Sequence, residues 1–179
     1  MHVWLIRHPR PMVESGVCYG RTDLAVADAI LAEAAASIMT VLPPDVPVFS
    51  SPLGRCARLA EALAPGAVHY DARLMEMDFG SWEMRRWQDI ERREVDAWVQ
   101  DLTHFRPGHG ESLTQMAERV AAFRDMLLDS RLAQAAVICH AGTIRLLDVL
   151  NRGLPVIAAA TEAHHIEYGA VLPLSLRRD

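Results

Sequence analysis

Cysteine is scarce in this chain of 179 residues, which contains only Cys18, Cys56 and Cys139. The three are odd in number and widely spaced, so they fit neither a disulfide framework nor the paired spacing of a zinc site. We expect them to be buried free thiols, which are typical of proteins kept in a reducing compartment. A cytoplasmic location is therefore predicted.

Long hydrophobic runs and an excess of basic residues are also missing. No apolar run approaches the roughly 18 residues that indicate a membrane span, and no signal-peptide pattern opens the chain. The formal net charge is -5, whereas proteins that bind nucleic acid usually present a basic surface. We therefore expect no membrane insertion and no nucleic-acid partner, and no pattern specifies an oligomeric state.

The composition is that of an ordinary globular protein. Hydrophobic residues make up 51% of the chain and charged residues 23%, which are usual values for a soluble domain. A chain of this length can bury a sizeable core, and we find no internal repeat or linker. Residues 1–179 are predicted to form a single domain.

Short apolar runs alternate with helical patterns along the chain. Runs bounded by turn residues predict strands, and apolar residues at helical spacing predict helices. The predicted strands cover 2–7, 47–50, 67–70, 135–139 and about 165–172. The predicted helices cover 27–42, 55–63, 84–101, 113–127 and 143–150. This alternation favours an α/β fold, a three-layer α/β/α sandwich with helices on both faces of a mainly parallel sheet.

Three of the predicted strands lead into residues that can bind an anion. Arg7 and His8 end the first strand, Arg55 follows the second, and His140 follows the strand at 135–139. In an open α/β sheet the ligand crevice lies at the carboxyl ends of the strands, so the four side chains should converge. Two guanidiniums and two imidazoles at one point call for a dianion, and phosphate fits best.

In this position His8 is suited to attack phosphorus. Neighbouring arginines lower the pKa of an imidazole and keep it neutral and nucleophilic, while His140 can donate to the phosphoryl oxygens together with the arginines. The leaving alkoxide also needs a proton, which a buried carboxyl group of raised pKa can supply. Glu76, Asp78 and Glu83 all lie among large apolar residues, and their chemistry alone does not choose between them.

Six short motifs carry this candidate site. They are Arg7-His8, Ser50-Ser51-Pro52-Leu53-Gly54-Arg55, Leu74-Met75-Glu76, Phe79-Gly80-Ser81-Trp82-Glu83, Gly110-Glu111-Ser112 and His140-Ala141-Gly142. In type and order they resemble the histidine phosphatase superfamily, the phosphoglycerate-mutase-like group. The resemblance implies a metal-independent hydrolase without a cofactor, and it implies catalytic roles for five residues: His8 as phosphate acceptor, Arg7, Arg55 and His140 as phosphate pocket, and Glu76 as general acid.

Three further segments give a narrower resemblance. They cover 16–23, 78–83 and 105–112, and they are similar to the α-ribazole phosphatases of cobalamin synthesis, which remove the 5′-phosphate of α-ribazole 5′-phosphate. The resemblance implies a small phosphate ester as the binding partner. It also implies that four more residues bind the substrate: Tyr19, Gly20, Arg21 and Trp82.

Three departures from the superfamily pattern occur. Pro9 replaces the usual glycine after the histidine and removes an amide that could bind phosphate. Met84 replaces a glycine that commonly follows the Trp-Glu pair, and Arg58-Leu59 replaces the usual Gln-Thr. None of the three removes a residue that the resemblance assigns to catalysis.

Other functions could use the same residues. A mutase-type phosphotransferase is disfavoured because the long insertions of mutases are missing. A metallohydrolase would need His8 and His140 as metal ligands, and a regulatory module would bind phosphate without turnover. His164 and His165 are adjacent on a predicted strand, point to opposite faces and are not expected to share a metal ion.

Several neighbouring residues have ordinary structural alternatives. Tyr19 and Arg21 fit a turn-stabilising role as well as substrate binding, and His109 is expected to face solvent. Ser50 and Ser51 are expected to cap the helix that follows them. Trp87 and Trp98 are expected to pack in the core or dock a helix, although the tryptophans could also stack on a benzimidazole ring.

Overall fold

The structure is a computed structural model that describes residues 1–163 and 165–177. Its strands are β1 His2–Arg7, β2 Val48–Ser50, β3 Val68–Tyr70, β4 Gln134–Cys139 and β5 Val171–Ser175. Its helices are α1 Asp28–Met39, α2 Gly54–Leu63, α3 Arg92–Gln100, α4 Leu113–Asp129, α5 Ala141–Asn151 and the short α6 Ala158–Thr161. Most of the predicted elements are present with ends shifted by a few residues.

The five strands form one sheet in the order β3-β2-β4-β1-β5. Neighbouring strands are parallel except β5, which runs antiparallel to β1. In the register of the two central strands, Arg7 at the end of β1 lies opposite Cys139 at the end of β4. His8 and His140 therefore leave the sheet side by side at the same edge.

Alternate residues of the strands build two separate cores. Leu5 and Val137 belong to the core that includes α4 and α5, whereas Ile6 and Ile138 belong to the core that includes α1 and α2. Alternation of this kind on strands buried on both faces is what a sheet between two helical layers requires. The predicted three-layer α/β/α sandwich is confirmed.

The start of α4 shows how a local motif sets a helix boundary. The Ser112 side chain accepts a hydrogen bond from the Gln115 amide at 3.2 Å, and the Gln115 side chain accepts one from the Ser112 amide at 2.9 Å. This reciprocal pair is a capping box, which satisfies amides that a helix start leaves without partners. It fixes the end of the preceding loop, which carries Glu111.

The predicted helix at 84–101 is wrong in its first half, because the α-helix α3 covers only Arg92–Gln100 and is preceded by a short 3₁₀ turn at Trp87–Asp89. Met84 has a left-handed backbone with φ 63°. The chain then runs beside an earlier segment: the Cys18 amide donates to the Arg85 carbonyl at 2.8 Å, and the Trp87 amide donates to the Gly16 carbonyl at 2.9 Å. These hydrogen bonds to distant residues replace those of a helix.

The last strand begins six residues later than predicted, at Val171 instead of 165. The preceding turn is tied to the end of β1, because the Arg7 amide donates to the Ala170 carbonyl and the Gly169 amide donates to the Arg7 carbonyl. Pro173 fits within β5 because this strand lies at the edge of the sheet.

The sequence also led to expectations about the adjacent histidines His164 and His165 and about membrane insertion. His165 is exposed and contacts Glu167, and His164 lies outside the described residues. Within 1–163 and 165–177, no helix is long and apolar enough to cross a membrane.

Candidate active site

His8 follows β1 directly and is 2% exposed. Its Nδ1 lies 2.7 Å from the Pro9 carbonyl oxygen. A carbonyl oxygen only accepts hydrogen bonds, so Nδ1 carries the proton and Nε2 keeps its lone pair. Burial, together with the positive charges of Arg55 and Arg7, lowers the pKa of His8 to about 3. At neutral pH this side chain is an uncharged imidazole with a nucleophilic Nε2.

His140 lies beside His8, with 5.0 Å between the two ring centroids. It is fully buried and precedes the first residue of α5. Its Nε2 is 2.9 Å from the Ser51 hydroxyl and 3.5 Å from the Cys56 thiol. Burial, followed by electrostatic repulsion from His8 in its protonated form and from Arg55, lowers the pKa of His140 well below its usual range.

Arg7 is held on two sides at the end of β1. Its guanidinium carbon lies 3.8 Å from the centroid of the Tyr168 ring, and its Nη1 donates to the Ile166 carbonyl at 2.5 Å. Its buried Nε finds no hydrogen-bond partner among the described residues. Arg7 therefore has a fixed guanidinium with donor capacity left over.

Arg55 is fully buried in the first turn of α2. Its Nη1 donates to the Thr22 carbonyl at 2.7 Å and its Nη2 to the Gly20 carbonyl at 2.5 Å. Its buried Nε, like that of Arg7, has no hydrogen-bond partner within the described part of the chain. A Cβ at Gly20 would lie 1.8 Å from the Met77 carbonyl oxygen, so only glycine fits at position 20.

The carboxylate of Glu83 holds the same loop from the other side. It accepts hydrogen bonds from the amides of Gly20, Arg21 and Thr22, from the Thr22 hydroxyl and from the Phe79 amide. Burial alone would raise the pKa of Glu83, but these hydrogen bonds lower it below its ordinary value. Glu83 is therefore ionised and fully engaged, which argues against it as the proton donor.

Glu76 lies against the first turn of α5, next to His140. Its Oε2 accepts from the Gly142 amide at 3.0 Å, and its Oε1 accepts from the Met77 amide at 3.1 Å. A Cβ at Gly142 would approach Oε1 to 2.3 Å. Of the three acids that the sequence left open, Glu76 is the one that contacts the first turn of the helix that follows His140.

The backbone around Glu76 is fixed by Arg119 of α4. The guanidinium donates to the carbonyl oxygens of Arg73 and Met75, both at 2.7 Å, and of Glu76 at 3.2 Å. It also pairs with both oxygens of Glu111, at 2.7 and 2.8 Å. This arrangement determines where the acid-bearing segment lies relative to the sheet.

Asp78 and Arg21 face the surrounding loops. The Asp78 Oδ1 accepts from the Gly80 amide at 2.8 Å. The Arg21 guanidinium lies 3.8 Å from Asp78 and 3.7 Å from Glu111. These contacts support the turn-stabilising alternative for Arg21, while its contact with a substrate stays a prediction.

Trp82 does not have the position that substrate binding requires. Its ring is fully buried with Cys18 and Ile90, and its Nε1 donates to Glu94 at 2.7 Å. A ring enclosed in this way offers no surface for stacking on a ligand. The assignment of Trp82 to substrate binding is therefore corrected: it is a core residue that supports the loop.

An apolar cleft opens beside Glu76 and Gly142. Tyr19, Phe79 and Trp98 supply aromatic walls. The other apolar side chains that line it are Met77, Leu102, Leu113, Met116, Ala159 and Ala160. Trp98 was expected to pack in the core or dock a helix. It is half-buried on α3 and packs against the buried cluster of Cys18, Trp82 and Ile90, and it also lines the cleft.

The structure revises one smaller expectation and agrees with another. Ser50 and Ser51 do not cap α2, because Leu53 is its N-cap residue; Ser51 instead contacts His140, as described above. His109 is exposed, as expected. Tyr168 was not singled out from the sequence; the signal was its place just before a strand that returns antiparallel to β1.

Groups of three or more His, Cys, Asp or Glu side chains suited to a metal ion do not occur among residues 1–163 and 165–177. The predicted cysteine state is observed, since Cys18, Cys56 and Cys139 are all buried and free.

With this geometry in hand, the comparisons with known proteins identify the class. Residues 3–177 match the model of the histidine phosphatase superfamily (branch 1), and the chain belongs to that superfamily. It is therefore a hydrolase of the phosphatase class, as the motifs predicted.

Individual relatives are similar over nearly the whole chain. The chain is 30% identical over 168 residues to the adenosylcobalamin/α-ribazole phosphatase of Escherichia coli (strain K12), with 88% of this chain and 82% of that protein covered. The crystal structure of the α-ribazole phosphatase from Shigella flexneri has a TM-score of 0.86 at 25% identity, with 99% and 92% covered. A phosphoglycerate mutase from Thermus thermophilus has a TM-score of 0.75 at 29% identity, with 99% and 95% covered.

Proposed function

We propose that this protein hydrolyses a small phosphomonoester through a phosphohistidine formed on His8. The observation that carries the proposal is the state of His8, a buried neutral imidazole whose Nδ1 is occupied by the Pro9 carbonyl. Its Nε2 is the free nucleophile, and the positive charge of Arg7 and Arg55 beside it matches the charge of a phosphate group.

The phosphate pocket is assigned to Arg7, Arg55 and His140. The buried Nε donors of both arginines have no hydrogen-bond partner among the described residues, and an unsatisfied buried donor costs about 1–3 kcal/mol. Phosphoryl oxygens would satisfy such donors, and guanidinium forks match their geometry. His140 supplies a further donor at the start of α5.

Each half of the reaction then moves one proton through Glu76. In the first half, the His8 Nε2 attacks phosphorus, the P–O ester bond breaks with its electron pair on the leaving oxygen, and Glu76 protonates that oxygen. In the second half, water attacks the phosphohistidine, Glu76 takes a proton from that water, and the P–N bond breaks. Inorganic phosphate and neutral His8 result.

For the substrate, we propose α-ribazole 5′-phosphate, which would place the enzyme in cobalamin synthesis. The names of the E. coli and Shigella relatives support this choice. The apolar cleft beside Glu76 also supports it, because a leaving group protonated by Glu76 must lie there and its aromatic walls suit a flat ring. Tyr19 lines this cleft, and Gly20 and Arg21 belong to the loop beside it.

We also propose that the protein works in the cytoplasm, without a nucleic-acid or membrane partner. Its three buried free thiols and its net charge of -5 support this part of the proposal.

Rapid acid and base quenching with ³²P-labelled substrate tests the phosphohistidine. We expect a labelled adduct on the wild type that is labile in acid and stable in base, and none on His8→Ala. His69→Ala, which changes an exposed histidine of β3, is the matched control and should form the adduct normally. Normal turnover by His8→Ala would overturn the proposal, and loss of activity in EDTA would favour a metallohydrolase. Conversion of 3-phosphoglycerate to 2-phosphoglycerate without phosphate release would favour the mutase reaction.

A further inference from the structure

Two tyrosines from distant parts of the chain meet above the phosphate pocket. Tyr19 and Tyr168 are 149 residues apart in sequence, and their phenolic oxygens are 2.8 Å apart. The Tyr168 ring centroid lies 3.8 Å from the guanidinium carbon of Arg7. The Tyr19 ring centroid lies 5.6 Å from the guanidinium carbon of Arg55. Each tyrosine therefore lies against one arginine of the pocket and is hydrogen-bonded to the other tyrosine.

We propose that Tyr19 and Tyr168 form a clasp that sets the positions of Arg7 and Arg55 for the transition state. The proposal rests on the phosphatase function proposed above. Neither phenol is assigned a chemical step, so both are positioning residues.

The aromatic face explains how Tyr168 orients Arg7. A planar guanidinium stacks on a phenol ring and leaves its N–H edge free to donate. Arg7 has one hydrogen bond to the Ile166 carbonyl on its other side, so the ring and this carbonyl together fix the plane of the guanidinium. Without the ring, a single hydrogen bond would allow the guanidinium to rotate.

The hydrogen bond between the two phenols links the position of Arg7 to that of Arg55. Arg7 lies at the end of β1 and Arg55 in α2, and the hydrogen bond between the tyrosines joins the loops that lie against them. Burial and the hydrogen bond with Tyr168 raise the pKa of Tyr19 above its ordinary value, so Tyr19 keeps its proton at neutral pH. The clasp therefore keeps the arginines at a fixed separation.

A fixed separation matters most during phosphoryl transfer. Charge is then spread over the three equatorial oxygens, and small errors in donor position are costly. The bound ester tolerates more variation than the transition state, so weakening the clasp should lower kcat more than it raises KM.

The test uses Tyr168→Leu, Tyr168→Phe, Tyr19→Phe and the double Phe variant, with p-nitrophenyl phosphate as substrate. Tyr70→Phe is the matched control, since Tyr70 is exposed on β3 and bonds Glu61. We expect Tyr168→Phe, which keeps the ring, to lower kcat/KM about threefold through the lost hydrogen bond. Tyr168→Leu should lose about tenfold or more because the stacked ring is gone, and Tyr70→Phe should match the wild type.

The double variant separates a clasp from two independent effects. Either single Phe substitution breaks the same hydrogen bond, so the double variant should lose no more than the larger single loss. If the two losses multiply instead, the phenols act independently and the clasp is refuted.

Orthovanadate, which can adopt the five-coordinate geometry of the phosphoryl-transfer transition state, provides a readout besides turnover. Calorimetry should show that Tyr168→Leu weakens vanadate binding by the same factor as kcat/KM and weakens inorganic phosphate binding less. Vanadate affinity within about twofold of the wild type would overturn the clasp, since tenfold is the scale expected for the lost stack. If the wild type hydrolyses no phosphomonoester, the proposed function fails, and the vanadate series still decides whether the clasp positions the arginines.

Discussion

A backbone carbonyl decides which nitrogen of His8 can react. The departure from the superfamily pattern at Pro9 removes an amide but keeps this carbonyl, and the carbonyl accepts from the His8 Nδ1. The substitution therefore leaves intact the group that sets the tautomer. A glycine at this position would supply the same acceptor, which explains why the histidine site can accommodate proline.

The role of Glu76 can be tested through the leaving group. Glu76→Gln keeps the size of the side chain but removes the transferable proton. We expect kcat/KM to fall by about 10²–10⁴ for glycerol 1-phosphate, whose leaving alkoxide needs that proton. The loss should be much smaller for p-nitrophenyl phosphate, whose leaving group is stable as an anion.

Asp78→Asn is the matched control for this experiment, because an amide oxygen can still accept from the Gly80 amide. It should show no such dependence on the leaving group. A leaving-group effect in Asp78→Asn and none in Glu76→Gln would transfer the acid role to Asp78.

At the residue scale, chemical identity was easier to predict than burial. Arg7, His8 and His140 could be assigned to the site because strand ends converge and because the anion chemistry of these side chains is specific. Trp82 was assigned wrongly, since an aromatic residue in a motif serves equally well as a loop core. Tyr168 was missed because its partner Tyr19 is remote in sequence.

Helix α5 is the element on which the acid depends. Its first turn presents the Gly142 amide to Glu76, and the absence of a side chain at Gly142 makes room for the carboxylate. A helix start combines free amides with a favourable dipole for an acidic group. The position of Glu76 is therefore set by the helix that also orients His140.

Gly142→Ala should reproduce the signature of Glu76→Gln. The added Cβ would approach the Glu76 Oε1 to 2.3 Å, and the carboxylate must move away. We expect a loss of about tenfold or more for glycerol 1-phosphate, the scale of a misplaced catalytic group, and little loss for p-nitrophenyl phosphate.

The Gly142→Ala variant should be at least as stable as the wild type, because alanine has a higher helix propensity than glycine. In the Glu76→Gln background, adding Gly142→Ala should cost little more. Independent losses in the double variant would show that Gly142 acts elsewhere than on Glu76.

Elements with strong local signals were predicted well from the sequence. Buried strands β1 and β4 and the amphipathic helix α4 have apolar patterns that depend on nearby residues only. The segment 84–91 was predicted poorly because its hydrogen bonds go to 16–18, about 70 residues earlier in the chain. The start of β5 was misplaced because its preceding turn is fixed by contacts with β1.

For the whole molecule, the buried site makes folding sensitive to acid. Folded His8 remains neutral down to a pKa of about 3, whereas an unfolded histidine is protonated below about 6.5. Between about pH 3 and about pH 6.5 the unfolded chain binds more protons than the folded protein does. The free energy of unfolding is therefore retained above about pH 6.5 and falls as the pH is lowered. From pH 7 to pH 5, His8 alone should cost about 2 kcal/mol, and His140 acts in the same direction.

Urea unfolding at pH 7 and pH 5 measures this contribution. The wild type should lose about 2 kcal/mol more than His8→Gln between the two conditions. His69→Gln, which changes an exposed histidine, should retain the wild-type difference. Equal losses in the wild type and His8→Gln would show that burial of His8 does not govern acid sensitivity.

Substrate choice is also a property of the assembled molecule, because the cleft walls come from several loops and from helices that include α3 and α4. We expect kcat/KM for α-ribazole 5′-phosphate to exceed that for 3-phosphoglycerate and for p-nitrophenyl phosphate by at least about tenfold, roughly 1.4 kcal/mol. Trp98→Ala should remove most of this preference by lowering the α-ribazole 5′-phosphate value.

Val99→Ala is the control for this substitution, since Val99 is exposed on the same helix. It should leave the preference unchanged. Similar kcat/KM values for all three esters in the wild type would reject the cobalamin assignment and leave the phosphatase assignment standing.

Glu83 gives one irregular loop the cooperativity of a secondary-structure element. The amides of Gly20, Arg21 and Thr22 share its carboxylate, and Arg55 donates to the carbonyls of Gly20 and Thr22. Opening one amide alone would leave a buried anion poorly solvated, so these amides should exchange with deuterium together. Each such opening also releases the arginine, which makes deuterium uptake at 20–22 a direct measure of how often the phosphate pocket comes apart.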